Sequence, residues 1–152
     1  MREESGNLFD YTADAIVIPI NWRVNRRGQA IMGAGVAFQA ARRWPSLSWR
    51  LGVDIEKTDT PRLFIERQYR REGTGPDILC LPTKYDWRNL ADIGLIEAGV
   101  KLLPSIAALY GWETVALPRL GCGERTGQLS WDVQVRPLLA DLLGDEFVVV
   151  NR

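Results

Sequence analysis

The chain has 152 residues, 46% hydrophobic and 25% charged, with 19 basic and 19 acidic side chains that cancel. That length suits one domain with one core, and zero net charge supplies no global field to attract nucleic acid. The sequence holds two cysteines, Cys80 and Cys122, and no histidine. This excludes Ser-His-Asp and Cys-His catalysis and the usual zinc sites, leaving Lys, Asp, Glu, Arg, Tyr, a thiol or bound water for any chemistry.

Three arginine clusters survive the overall balance: Arg23, Arg26 and Arg27; Arg42 and Arg43; Arg67, Arg70 and Arg71. The last two read as solvated surface charge. Residues 1–10 carry three acids and no apolar core, so no signal peptide is expected. No apolar run approaches the roughly 20 residues that cross a bilayer. The expectation is a cytoplasmic monomer without disulfide, metal, cofactor or membrane partner.

Residues 15–20 form an apolar run that ends at Asn21, and its unbroken apolarity predicts a strand buried on both faces. A polar loop over 21–34 leads into a helix over 35–44 with Val36, Phe38, Ala40, Ala41 and Trp44, stopped by Pro45. Residues 61–66 and 77–82 read as strands separated by a turn over 70–76. Residues 91–110 read as a helix with Ile93, Ile96, Val100, Leu103 and Ala107 on one face, kinked or divided at Pro104 and ended by Gly111. A short buried strand over 113–117 precedes a glycine-rich loop over 121–127. Ser130 is the expected N-cap of a helix over 131–143 that bends at Pro137, and a last strand follows over 146–150. Strands alternating with helices imply an α/β sheet with helices on both faces, and no repeat or linker divides residues 1–152. In such sheets ligands bind beyond the carboxyl ends of the strands.

Four constellations lie at those ends. Met32, Gly33, Ala34, Gly35 and Val36 enter a helix, where small residues and free N–H groups suit a phosphate. Pro118, Leu120, Gly121, Cys122 and Gly123, with Gly127 beyond, form a second glycine loop after a buried strand. If the two strands are neighbours, the loops face each other across one cleft and suit a diphosphate. Thr83 and Lys84 end a third strand, with Tyr85 and Trp87 beside them, and the lysine either reaches that cleft or is solvated surface charge. Asn21 offers an amide able to orient a sugar hydroxyl, or is an ordinary turn residue.

These pieces together resemble the macrodomain family. Residues 13–21 resemble its opening strand, which ends in the asparagine that orients the distal ribose of ADP-ribose; residues 32–37 resemble its first phosphate loop and residues 116–123 its second. The resemblance implies a three-layer α/β macrodomain, with a central mixed β-sheet and helices on both faces. Within the family the similarity runs to the branch of DNA ADP-ribosyl glycohydrolase antitoxins (DarG type) and terminal ADP-ribosyl-glutamate hydrolases. It is carried by residues 32–37, by Pro82, Thr83, Lys84 and Trp87, and by Pro118, residues 120–123, Leu129 and Trp131.

That resemblance implies a catalytic lysine at Lys84 and removal of ADP-ribose from a base or carboxylate without metal. Glu124 is the acid best placed to assist, and Cys122 is read as a packing residue. Departures are a longer segment over 21–32 with Trp22, Arg23, Arg26 and Arg27, able to cover the distal ribose or to stack on a base. Residues 124–126 lengthen the second loop. Asn7 and Leu8 stand where the family reads Asp-Ile against adenine, so Asn7 accepts through a carbonyl oxygen without charge.

The reading is an ADP-ribosyl hydrolase acting on nucleic acid or protein carboxylates. The alternatives are a module that binds ADP-ribose or a related nucleotide without turnover, and a hydrolase of O-acetyl-ADP-ribose or ADP-ribose 1″-phosphate.

Overall fold

The computed structural model describes residues 1–67, 73 and 75–152. Arg70, Arg71, Glu72 and Thr74 of the expected turn over 70–76 lie outside the described residues. Six strands form one sheet: β1 (Arg2–Ser5), β2 (Ala15–Asn21), β3 (Phe64–Glu66), β4 (Asp77–Lys84), β5 (Val115–Leu117) and β6 (Phe147–Asn151), in the order β1-β6-β5-β2-β4-β3. Every neighbouring pair is parallel except β3 with β4, so the sheet is mixed with one antiparallel edge.

The apolar runs are two-faced because side chains alternate along a strand. Ile16, Ile18 and Ile20 of β2, Ile78 and Cys80 of β4, and Val148 and Val150 of β6 pack on one side, with Ala40 of α1 (Gly35–Arg43) and Leu47, Leu51 and Ile55 of α2 (Leu47–Glu56). Ala15, Val17, Leu79, Leu81, Phe147 and Val149 pack on the other. There they meet Ile96, Val100, Leu103 and Ala107 of α3 (Ile93–Tyr110) and Leu139 of α4 (Arg136–Leu142). Helices thus cover both faces, and each fully buried Leu or Ile contributes on the order of 1.5–3 kcal/mol.

Two elements have no counterpart in the sequence reading. β1 is four exposed polar residues that pair on one side only, Arg2 opposite Val148 to Ser5 opposite Asn151. α2 lies just past Pro45, which stops α1 as expected and is followed at once by a second helix. Its Leu47, Leu51 and Ile55 recur every four residues and are buried.

Pro104 does not divide α3, which runs unbroken for 18 residues. Proline removes one backbone donor there, while Val100, Leu103 and Ala107 keep the helix packed on both sides of it. Asp92, one residue after the expected start, caps α3: its Oδ1 accepts from the N–H groups of Gly94 (2.8 Å) and Leu95 (3.2 Å). The expected helix over 131–143 is a π-helical turn, Trp131–Val135, leading into α4, with Pro137 in the first turn of the latter where a missing donor does no harm. Ser130 caps the turn as expected, its Oγ accepting from the Val133 N–H.

α2 also explains the segment over 22–31. The Trp22 indole is buried and donates to the Thr58 carbonyl at 2.8 Å, and the Ala30 N–H donates to the Ser48 carbonyl at 2.8 Å. A Cβ on Gly52 would sit 2.0 Å from the Gly28 carbonyl oxygen, so helix and loop backbones are in direct contact. Gly52→Ala is expected to destabilise the chain by about 1–3 kcal/mol in urea unfolding, a core-overpacking cost. An unchanged midpoint would mean that the loop is not strapped to α2.

Candidate functional site

β2, β4 and β5 run the same way, so their carboxyl ends share one edge of the sheet. The register between β2 and β4 changes at that edge: Ile20 pairs with Pro82, but Asn21 pairs with Lys84. Thr83 is the extra residue of this bulge, and its hydroxyl donates to the Ile20 carbonyl at 3.4 Å. Pro82 cannot donate to the ladder, which marks the place where pairing gives way. The bulge sets Lys84 level with Asn21.

Beyond that edge lies a cleft of about 1030 Å³. Of the residues expected from sequence, Asn21, Gly33, Ala34, Gly35, Val36, Thr83, Lys84, Pro118, Gly121, Cys122, Gly123 and Gly127 line it. Leu8, Met32 and Leu120 are buried in the core and hold the loops from behind. Asn7 is not in the wall either: its Oδ1 accepts from the Phe9 N–H at 3.0 Å, capping a short 3-10 turn, Leu8–Asp10. Glu124 is exposed and does not line the cleft, whereas its neighbours Gly123 and Arg125 do.

The first wall is the start of α1. Ala34 occupies the N-cap position with no side-chain cap, and Gly35 has φ +57. The first N–H groups of α1 therefore have no side chain competing for them on the cleft side, and the helix dipole adds partial positive charge. The second wall closes on itself: the Leu129 N–H donates to the Gly121 carbonyl, and the Gly127 and Gln128 N–H groups both donate to the Gly123 carbonyl. Asn21 braces the floor, its Nδ2 donating to the Ile31 carbonyl at 2.8 Å while its Oδ1 accepts from the Arg23 N–H at 3.1 Å.

Lys84 joins the walls. Its Nζ donates to the carbonyls of Trp87 and Asn89, each at 3.3 Å, and to that of Thr126 in the second loop. Burial pushes its pKa below the ordinary lysine value of 10.5, while the Asp86 carboxylate acts in the opposite sense. Asp86 is buried and ionised: it accepts from the Arg88 N–H and Nε at 2.9 Å, from Arg88 Nη2 at 2.8 Å and from Arg23 Nε at 3.2 Å. Those bonds, with Arg88 contributing most, hold its carboxyl well below the usual range.

Sequence reasoning missed how many cations meet here. Lys84, Arg88, Arg119 and Arg125 line the cleft, and among the described residues that line it there is no carboxylate. Arg119 alternates with buried Leu120 and sits over the Trp131 ring at 5.1 Å. That alternation is the signal that could have placed it. The reading of Trp22 as a cover or stacking group is corrected, because its indole is in the core. Cys122 is half-buried and donates to the Leu120 carbonyl at 3.4 Å, and burial pushes its thiol up to about 11.

The chain has the macrodomain fold, with a cation-lined cleft at the carboxyl edge of its mixed sheet, between an uncapped helix start and a closed glycine loop. Its likeness runs to the macrodomains of DarG proteins. The solved macrodomain of Thermus aquaticus DarG superposes with a TM-score of 0.81 and 27% identity, covering 99% of this chain and 97% of that one. A solved Thermosipho africanus DarTG in complex with ADP-ribose gives 0.82 at 21% identity, covering 99% of this chain and 42% of that one, a likeness of fold. The curated DNA ADP-ribosyl glycohydrolase of Mycobacterium tuberculosis is 28% identical over 135 residues, which is 87% of this chain. The chain spans 36% of that relative's length. No family model matches the sequence.

With its pKa near 11, the Cys122 thiol is almost wholly protonated at neutral pH. Its alkylation by iodoacetamide at pH 7.5 should run at least tenfold slower than that of a free thiol. Labelling at the free-thiol rate would restore Cys122 as a candidate nucleophile.

Proposed function

We propose that this macrodomain binds ADP-ribose in the cleft and hydrolyses an ADP-ribosyl bond, with Lys84 acting at the distal ribose. The observation that carries the reading is the electrostatics of the cleft. In a chain of zero net charge, four cations and an uncapped helix start line one concavity with no carboxylate among its described residues. A diphosphate is the ligand that such a wall suits.

The diphosphate would lie between the start of α1 and the second loop, with the distal ribose toward Asn21 and Lys84. As an ammonium, Lys84 can donate to ribose oxygens and stabilise charge as the bond to C1″ breaks. As a free amine it can attack C1″ of an opened sugar. The names of the curated relatives, DNA ADP-ribosyl glycohydrolases, support a nucleic-acid substrate for this chain. A cytoplasmic monomer remains the expectation for its working state.

One observation favours a second reading. All three Nζ donors of Lys84 are taken by backbone carbonyls. A lysine so engaged can serve as a brace between loops, and the domain would then hold ADP-ribose without cleaving it.

Turnover of ADP-ribosylated DNA, of glutamate-linked ADP-ribosyl protein and of O-acetyl-ADP-ribose, each with wild type and Lys84→Ala, separates these readings. On the hydrolase reading Lys84→Ala lowers kcat by about 10²–10⁴-fold while ADP-ribose affinity by calorimetry stays within a few-fold. Glu124→Gln should change kcat far less, since Glu124 is exposed and outside the cleft wall. Tight binding with no release from any substrate overturns the hydrolase reading.

Gly35→Glu would add a carboxylate at the helix start, where a Cβ meets open space, at a residue whose φ of +57 already disfavours a side chain. It should abolish ADP-ribose binding; normal binding would mean that the pocket is misassigned.

The pH dependence follows from the depressed Lys84 pKa. Raising pH frees the amine, so an amine mechanism gives kcat rising with pH and levelling below 10.5. A rate that falls through that range assigns the ammonium role instead.

A further inference from the structure

We infer that the rim of the cleft beside Lys84 is a docking platform for single-stranded nucleic acid, made by the rings of Tyr85 and Trp87 and the guanidinium groups of Arg23 and Arg88. Its biological use rests on the hydrolase reading above; its chemistry does not.

The segment after β4 alternates. Tyr85 and Trp87 are large rings left 48% and 53% exposed, while Asp86 between them is buried. Asp86 fixes both arginines, engaging Arg88 through its backbone N–H, Nε and Nη2, and Arg23 through Nε alone. Two guanidinium charges thus face one carboxylate charge. The arginine side chains remain 56% and 69% exposed, with N–H groups not spent on Asp86. The Arg88 guanidinium also sits 5.6 Å from the Trp87 ring centre. The clamp holds its cations at a set spacing before any ligand arrives, so little side-chain freedom is left to lose on binding.

Exposed flat rings interleaved with fixed guanidinium groups suit a chain that carries planar bases on a phosphodiester backbone. An acidic peptide would use the arginines and leave the rings idle. A duplex would hide the base faces that the rings need. Trp87 and Arg88 also line the cleft, so a strand on this rim lies beside the lysine that would act on its modified base.

The test is fluorescence anisotropy on the full chain with a fluorescein-labelled oligothymidylate of about 10 nucleotides, with ADP-ribose calorimetry run alongside. The single strand should bind more tightly than a duplex of equal length. Trp87→Ala should weaken it about tenfold, with partial rescue in Trp87→Phe. Arg23→Ala should reduce the slope of log K against log salt by about 0.7, restored in Arg23→Lys. Arg23→Ala and Tyr85→Ala should leave ADP-ribose affinity unchanged.

Equal binding of the duplex, displacement by polyglutamate as effective as by unlabelled oligonucleotide, or variants that bind the oligonucleotide like wild type would overturn the platform. Loss of ADP-ribose binding in the wild type would overturn the ligand assignment instead, and the oligonucleotide data would stand apart from it.

Discussion

β2 pairs in parallel with β5 on one side and with β4 on the other, and this pairing fixes where every polar group of the cleft can be. Each strand arrives at the edge as a buried apolar run and must end in residues that tolerate water. Asn21, Lys84 and Pro118 are those residues, or their immediate successors. A single extra residue, Thr83, then decides the side-chain geometry, because the bulge places Lys84 opposite Asn21 instead of one step beyond it. The chemistry of the site is therefore set by backbone register before any side chain is considered.

The parts of this arrangement that could be read from the sequence are those carried by apolarity and glycine. β2 announces itself because a strand buried on both faces needs no alternation. The α1 loop announces itself through glycine, which the φ of +57 at Gly35 favours. What escaped had no such local mark. β1 is Arg-Glu-Glu-Ser and is a strand only because β6 offers it an edge. α2 was hidden by Pro45, although Leu47, Leu51 and Ile55 were in plain view. Trp22 and its arginine neighbours looked like a ligand-facing loop. The indole in fact found a carbonyl at the end of the helix that had been overlooked. The Asp86 clamp was invisible because Arg23 is 63 residues away in the chain.

Net charge misled for a related reason. Many acids are consumed in pairs away from the cleft: Asp54 with Arg62, Glu3 with Arg136, Glu97 with Lys101, and Glu66 with Arg50. The exposed pairs among them, such as Glu97 with Lys101, contribute little to stability, whereas the Glu66 carboxylate is buried. Because no acid among the described residues lines the cleft, its cations are a local excess that the sum over the chain conceals. A field at short range depends on where charges sit within a Debye length of about 8–10 Å, not on the total.

Lys84 combines two demands that pull against each other. Its bonds to Trp87, Asn89 and Thr126 tie the β4 loop to the second glycine loop, and three carbonyl acceptors favour the ammonium. Partial burial favours the amine, and the net shift is toward the amine. A ligand that places its own oxygens beside Nζ would replace one or more of these carbonyls rather than approach an unbonded cation. The exchange is between hydrogen bonds of similar strength, so its net free energy is small next to either bond alone. Where the Thr126 carbonyl is the one replaced, the tie to the second loop goes with it, while the loop keeps its own bonds from Gly127, Gln128 and Leu129 to the carbonyls of Gly123 and Gly121. The side chain that ties the two loops together thus also lines the cleft.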